Sequence, residues 1–301
     1  MKIDVSEVKT FKNCRRQWLF TSRNRYHLRA KAPSSALHTG TLFHEALHAL
    51  YLGSELNKVM EWVRREMIND GDTCLLAMIP GYYKNVLEAD LERFQVLDIE
   101  HKFEIQPLEG VDIQICGSID MIVLEKATNK IFGFEHKTAK NFRDTSFLWM
   151  DEQPRVYTVA LQQYVDQLNA KQYEEWTAAG ASAAEKPAPY KLGGIYINEV
   201  KKLLRDFKYQ RTLCTYPEED LQNFFEKFLG TCCAIQHVAT SSEDVTPTPS
   251  YFSCSICAFR GVCETYMYRS VSKDEILKEF SEEFEERDID HLDEKVERVK
   301  E

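Results

Sequence analysis

The chain has 301 residues, 44% hydrophobic and 29% charged, enough for one sizeable core elaborated by a helical lobe. No apolar stretch approaches the ~20 residues that span a bilayer, and the opening Met1-Lys2-Ile3-Asp4-Val5-Ser6-Glu7 lacks the apolar centre of a secretion signal; composition therefore argues against an integral membrane protein and predicts a soluble, cytoplasmic one. The net charge of −10 opposes a nucleic-acid ligand only until its distribution is read, because residues 272–301 carry 13 acidic and 6 basic side chains, leaving 32 basic against 35 acidic over residues 1–271.

Residues 5–20 read as a helix opened by Ser6, with Val8, Phe11, Trp18 and Leu19 as its apolar set. Over residues 12–31, Lys12, Arg15, Arg16, Arg23, Arg25, Arg29 and Lys31 occur without an acid, interleaved with Trp18, Phe20 and Tyr26. That pattern suits a phosphate backbone and stacked bases, or a solvated helix face with its aromatics turned inward. Helices are predicted over 40–52, 55–68 and 82–97, so the first hundred residues are mostly helical. Strand character begins at 101–106 and continues through two apolar runs, 111–124 and 130–137, which the polar turn 127–130 joins as a hairpin. A helix over 153–168 follows, then a small-residue loop over 177–189, a strand over 190–198 and an amphipathic helix over 217–238. A cysteine-bearing loop and an acidic tail, helical or frayed and dispensable to the core, complete the chain. This order predicts an α/β protein with helices packed on a mixed sheet.

The hairpin brings Asp120 and the Glu135-His136-Lys137 triplet to one end of the sheet, where two carboxylates and an ammonium can hold a divalent cation beside a polarised water. Acids near strand ends are common, so the triad alone is also consistent with an ordinary polar strand end. Nine cysteines argue for free thiols or metal ligation rather than a disulfide framework. Cys254-x2-Cys257-x5-Cys263, just after Pro247-Thr-Pro249, offers three thiolates, and Cys14, beside the cationic Arg15 and Arg16, is the candidate fourth. One distant cysteine plus a triplet fits a [4Fe-4S] cluster better than a structural zinc built from two close pairs. Cys74, Cys116, Cys214, Cys232 and Cys233 read as core filling or inert thiols. His44-Glu45-Ala46-Leu47-His48 matches the H-E-x-x-H zinc-protease signature, with Glu66 as a possible third ligand, although the extended pattern fails because Tyr51 and Ser54 stand where it needs Gly and His. Gln153 and Tyr157, four apart, share a helix face and can hydrogen-bond a phosphate or base.

Taken in order, these motifs resemble the PD-(D/E)XK nuclease superfamily, and within it the RecB-like exonucleases that carry an iron-sulfur cluster, such as the CRISPR-associated and phage enzymes. The likeness rests on Cys14, the G-x-x-x-H stretch ending at His44, the G-x-x-D stretch ending at Asp120, Glu135-x-Lys137, Gln153-x3-Tyr157 and the closing cysteine triplet, together spanning residues 14–263. Ile119 stands where the superfamily's name has proline. The resemblance implies a restriction-endonuclease-like mixed β-sheet core flanked by helices, with an N-terminal helical lobe at about 41–98, a nuclease core at about 100–240 and an iron-sulfur loop at 247–266. These would form one clasped domain over 1–271, followed by the acidic tail at 272–301. It further implies that His44, Asp120, Glu135 and the His136 carbonyl hold Mg2+ or Mn2+. Lys137 would orient the water or neutralise transition-state charge, and Cys14, Cys254, Cys257 and Cys263 would ligate a [4Fe-4S] cluster. Gln153, Tyr157, Arg15 and Arg16 would meet DNA. The implied activity is a DNA exonuclease of recombination, repair or CRISPR spacer acquisition, acting on single-stranded or resected duplex DNA in a bacterial, archaeal or phage-infected cell. No G-x-x-x-x-G-K-[ST] motor motif is present, so the chain would work alone or with partners such as a strand-annealing recombination protein or CRISPR adaptation proteins. The competing readings are a zinc metalloprotease and a non-catalytic DNA-binding or assembly module on the same fold.

Overall fold

Among the described residues of the computed structural model the chain forms strands β1 (Lys2–Asp4), β2 (Leu28–Ala30), β3 (Phe94–Ile105), β4 (Gln114–Glu125), β5 (Lys130–Ala139), β6 (Lys191–Lys201), β7 (Tyr209–Cys214) and β8 (Phe284–Glu286). The structure describes residues 1–32, 35–107, 110–180, 182, 184, 186–241 and 245–287. Where the sequence predicts one domain ending at 271, contacts group these residues into two units. One is drawn from 1–32, 104–117 and 223–287, and the other from 35–103 and 118–222. No helix among the described residues is long and apolar enough to cross a membrane.

The second unit holds the mixed sheet. β3 pairs with β4, β4 and β5 are antiparallel, β5 and β6 parallel, and β6 and β7 antiparallel. The β4–β5 hairpin closes through Asn129, whose φ of 57° is a left-handed value that Asn tolerates better than most residues. β5 is buried on both faces from Ile131 to His136, as befits a strand with neighbours on each side and helices above and below. On one face Phe132, Phe134 and Tyr196 pack with Phe43 and Leu47 of helix Ser35–Tyr51, and with Leu75, Ile79 and Tyr82 of helix Leu75–Tyr82. The other face receives helix Glu152–Ala178, the crossover that parallel pairing of β5 and β6 requires. A side chain at Gly133 would meet Ile195 Cδ1 at 2.7 Å, so glycine keeps that face flat. Register is set by an irregularity at Gly193-Gly194, where Ile131 faces Leu192 but Phe132 faces Gly194. Gly194 has φ +119°, and a Cβ there would lie 2.6 Å from the Cys214 carbonyl. Past this bulge Glu135, His136 and Lys137 face Ile197, Asn198 and Glu199.

Several boundaries differ from the sequence expectation for physical reasons. The helix expected over 5–20 is two helices, Val5–Asn13 and Arg15–Thr21, broken at Cys14, whose φ −157° and ψ 110° are extended. Asp4 rather than Ser6 caps the first, accepting from Glu7 N–H at 2.7 Å. The crossover helix runs ten residues past the expected end at 168, through good helix formers, before Gly180 turns with φ 61°; of the loop expected over 177–189, residues 181, 183 and 185 lie outside the described residues.

In the first unit β1 pairs in parallel with Gln114, Ile115 and Cys116, and β2 pairs antiparallel with β8. The stretch just after 271 is therefore built in rather than frayed. Helix Lys273–Glu279 opens with a capping box at Ser272, and Phe284 of β8 stacks on Phe259 at 4.6 Å between centroids. The rest of the acidic tail, 288–301, lies outside the described residues.

Candidate active site

Asp120, His44, Glu135, His136, Lys137, Gln153 and Tyr157 all belong to the second unit. Asp120 on β4 and Glu135 on β5 are 7% and 3% exposed. The Asp120 carboxylate crosses the strand pair to accept from the His136 N–H at 2.7 Å. His44, from the middle of helix Ser35–Tyr51, places Nδ1 3.5 Å from Asp120 Oδ2, and its imidazole also hydrogen-bonds the His136 backbone. His44 and the His136 backbone thus meet at the Asp120 carboxylate.

Glu135 is held through one oxygen. Its Oε1 pairs with the Lys137 ammonium and accepts from Gln153 Nε2 at 2.8 Å, while Oε2 is buried without a partner among the described residues. Gln153 also donates to the Tyr157 hydroxyl at 2.9 Å, and Tyr157 is 6% exposed. The predicted helix face is real, but it points at the carboxylate. Gln153 positions Glu135, and Tyr157 positions Gln153.

The electrostatics describe a site short of positive charge. Burial and the neighbouring Glu135 carboxylate raise the Asp120 acid well above its usual range, against the pull of the His136 N–H and of Lys137. Burial pulls the Lys137 ammonium down, but Glu135 and Asp120 outweigh it and its pKa is raised, so it stays charged. Burial lowers His44 to about 3 and His48 to about 4, so both imidazoles are neutral and offer a lone pair near neutral pH. Neutral nitrogen, two close carboxylates and an orphaned buried oxygen are a donor set that a divalent cation would satisfy.

Some of the residues around the site have no local sequence signal. His136, fully buried, takes a hydrogen bond on Nδ1 from Asn198 Nδ2 at 2.9 Å. Asn198 can be oriented because its Oδ1 accepts from Arg211 Nε at 3.3 Å and its Nδ2 also reaches the Tyr82 hydroxyl at 2.9 Å. Arg211 in turn forms a two-pronged ion pair with Asp90 at 2.6 and 2.7 Å, and Tyr51 bridges Tyr82 and Asp90. Beside Lys137 in register, Glu199 is buried and accepts from Arg143 Nε at 2.8 Å. The carboxylate that meets His44 and His48 is Glu100, not Glu66, which is exposed.

In the first unit Cys14, Cys254, Cys257 and Cys263 line one cavity of about 390 Å³, with Phe20 and Phe259 among its walls. Burial raises the Cys257 and Cys263 thiols, Cys263 to about 11, and the other thiols of the set add to the effect in both. The predicted basic strip divides. Arg15 is exposed over the Phe11 ring at 5.2 Å and, with Lys12 and Lys227, lines a groove of about 380 Å³. The expectation that Arg16 meets DNA is corrected, because Arg16 is 2% exposed and its guanidinium donates to the carbonyls of Tyr266, Met267 and Arg269. Arg25 is likewise committed to the carbonyls of Val238, Ala239 and Ser241, and Trp18 and Phe20 are fully buried, so the aromatics of the strip turn inward.

A family model described as the PD-(D/E)XK nuclease superfamily matches residues 3–264. A solved structure from Eubacterium rectale, of a protein provisionally named an exonuclease, superposes with a TM-score of 0.50 and 14% identity, covering 90% of this chain and 89% of its own. At that identity the likeness concerns the fold. The protein SSO0001 aligns over 88% of this chain and 86% of its own with a TM-score of 0.36 and 12% identity. None of the curated proteins matches.

Proposed function

The chain belongs to the PD-(D/E)XK nuclease superfamily, and from that premise we propose that it is a Mg2+- or Mn2+-dependent deoxyribonuclease that degrades DNA from its ends, with a [4Fe-4S] cluster as a structural clasp. The observation that carries the catalytic part is the convergence of Asp120, Glu135, the His136 backbone and His44, with Glu135 Oε2 buried and without a partner among the described residues while Oε1 pairs with the Lys137 ammonium. His44, Asp120, Glu135 and the His136 carbonyl would hold the ion. When bound, it supplies Lewis-acid polarisation of the scissile phosphate and lowers the pKa of a ligated water.

The protein's own groups do the rest. Gln153 and Lys137 fix the Glu135 carboxylate from two sides. Lys137, kept protonated by its acidic neighbours, is placed to donate to the attacking water or to a phosphate oxygen as negative charge develops. The exposed cations Arg15 and Lys12 supply backbone attraction of the sequence-independent kind. The pathway would be recombination, repair or CRISPR spacer acquisition, with separately encoded partners.

For the cluster, the four cysteines share one apolar-walled cavity. One distant cysteine with a close triplet is the arrangement that favours a polynuclear cluster over a single zinc held by two close pairs.

The reading is tested with end-labelled single- and double-stranded DNA, with free and blocked 5′ and 3′ ends, in Mg2+ and in Mn2+. Wild type shortens the strands from free ends. Lys137→Ala should lose at least about 10²-fold in cleavage rate with DNA binding retained; near wild-type cleavage by that variant would remove the assignment.

A further inference from the structure

His44 and His48 lie one helical turn apart on helix Ser35–Tyr51 and so share a face. Their donor atoms and a carboxylate oxygen of Glu100, from β3, all lie within 4.8 Å of one another, His48 Nδ1 being 3.4 Å from Glu100 Oε1. The carboxylate is oriented from behind, where Ser118 Oγ donates to Oε2 at 3.1 Å. Glu100 has φ 54°, a left-handed value inside a strand, which is strained for an ordinary L residue and persists only where the surroundings enforce it. His48 is 9% exposed, and its Nε2 is buried with no hydrogen-bond partner among the described residues. The nuclease reading uses His44 alone of these three and gives His48 and Glu100 no work.

We propose that His44, His48 and Glu100 form a second divalent-cation site, selective for an imidazole-preferring transition ion of the zinc class over Mg2+. Two imidazoles and one carboxylate are the donor set that suits such an ion with a coordination position left for water, whereas Mg2+ prefers oxygen ligands throughout. His44 is the hinge of the arrangement, since the same imidazole lies 3.5 Å from Asp120 Oδ2. An ion held by His48 and Glu100 draws His44 to itself, and so competes with the nuclease centre for a shared ligand. The site is inhibitory.

The test is zinc binding in excess Mg2+, measured as metal per chain after equilibrium dialysis on the full-length protein with its cysteine cavity intact. Any zinc at the cysteines is common to all variants and cancels. Wild type should bind one more equivalent than Glu100→Gln or His48→Ala, and Asp120→Asn should keep that equivalent. Glu100 is partly exposed, so Glu100→Gln preserves the fold if His48→Ala does not. Zinc should also inhibit Mg2+-supported cleavage by wild type, with the inhibitory concentration raised at least about tenfold in Glu100→Gln, the minimum expected when loss of even an outer partner weakens metal affinity 10-fold or more. Equal zinc binding by wild type and both variants would overturn the site while leaving cleavage, and hence the nuclease reading, untouched. Glu100-dependent zinc binding by a chain that cuts no DNA in any metal would support the site and remove the nuclease.

Discussion

His48 and His44 place two neutral imidazoles where charge is costly, and that has a consequence for stability. An unfolded histidine takes up its proton near 6.5, whereas burial delays protonation of His48 to about 4 and of His44 to about 3 in the folded chain. Between those values the unfolded state binds more protons, so stability rises with pH across the window and falls as pH drops from about 6.5 toward 4. His48 alone accounts for roughly 3 kcal/mol at the lower end, at 1.36 kcal/mol per unit. Lowering the pH from 7.5 to 5 should therefore cost metal-free wild type distinctly more urea midpoint than it costs His48→Gln, the Asp120 acid, whose raised pKa works in the opposite direction, being common to both. An identical loss in both proteins would mean that His48 titrates normally. At the same scale, Asp120, Glu135 and Lys137 were legible in the sequence because strand ends and the E-x-K spacing are local signals. Glu100 was not, because its role rests on a left-handed φ and on a helix some fifty residues earlier in the chain.

The element that most constrains the site is β6, although it supplies none of the predicted ligands. Its glycine bulge fixes the register that sets Asn198 beside His136, and Asn198 hands the imidazole on to the Tyr82, Tyr51, Asp90 and Arg211 network. The Arg211 guanidinium and Asp90 are both mostly shielded from water, and a buried pair is costly to break because one charge is left uncompensated. Arg211→Met should cost about 3–5 kcal/mol in urea unfolding, and adding Asp90→Asn should recover part of it, since both charges are then gone. A single variant within about 0.5 kcal/mol of wild type, the range of a neutral surface change, would show the pair to be incidental. Little of this was readable beforehand. The hairpin of β4 and β5 announces itself by apolar runs around a polar turn, but Tyr209-Gln-Arg-Thr-Leu-Cys214 of β7 carries a weak pattern and becomes a strand through its pairing with β6. The network residues are scattered between 51 and 211 with no common spacing.

For the whole molecule, the chain order is the informative fact. The unit that holds the cysteine cavity is assembled from both ends of the described chain and the internal segment 104–117, and residues 35–103 and 118–222 form the other unit. Ligation of Cys14 together with Cys254, Cys257 and Cys263, as proposed, would close a loop of roughly 240 residues, and constraining so long a loop would remove more freedom from the unfolded chain than a short clip. The break between helices Val5–Asn13 and Arg15–Thr21 sets Cys14 in an extended conformation at the cavity wall, and Arg16 ties the same turn to three carbonyls between 266 and 269. Stacking of Phe284 on Phe259 adds a layer from beyond residue 271, within the stretch whose composition reads only as acidic. Both devices order the polypeptide around the thiols, but neither removes the burial that holds Cys263 protonated to about pH 11. Ligation to iron, as proposed, would remove that cost by replacing the proton. Protein purified without oxygen should accordingly be brown, with iron and acid-labile sulfide in equal amounts. Cys14→Ser should lose that colour and unfold at a lower temperature than wild type. Conversely, colourless wild-type protein carrying stoichiometric zinc on the four cysteines would replace the cluster with a mononuclear site, and a Cys14→Ser variant that keeps full iron content would take Cys14 out of the clasp.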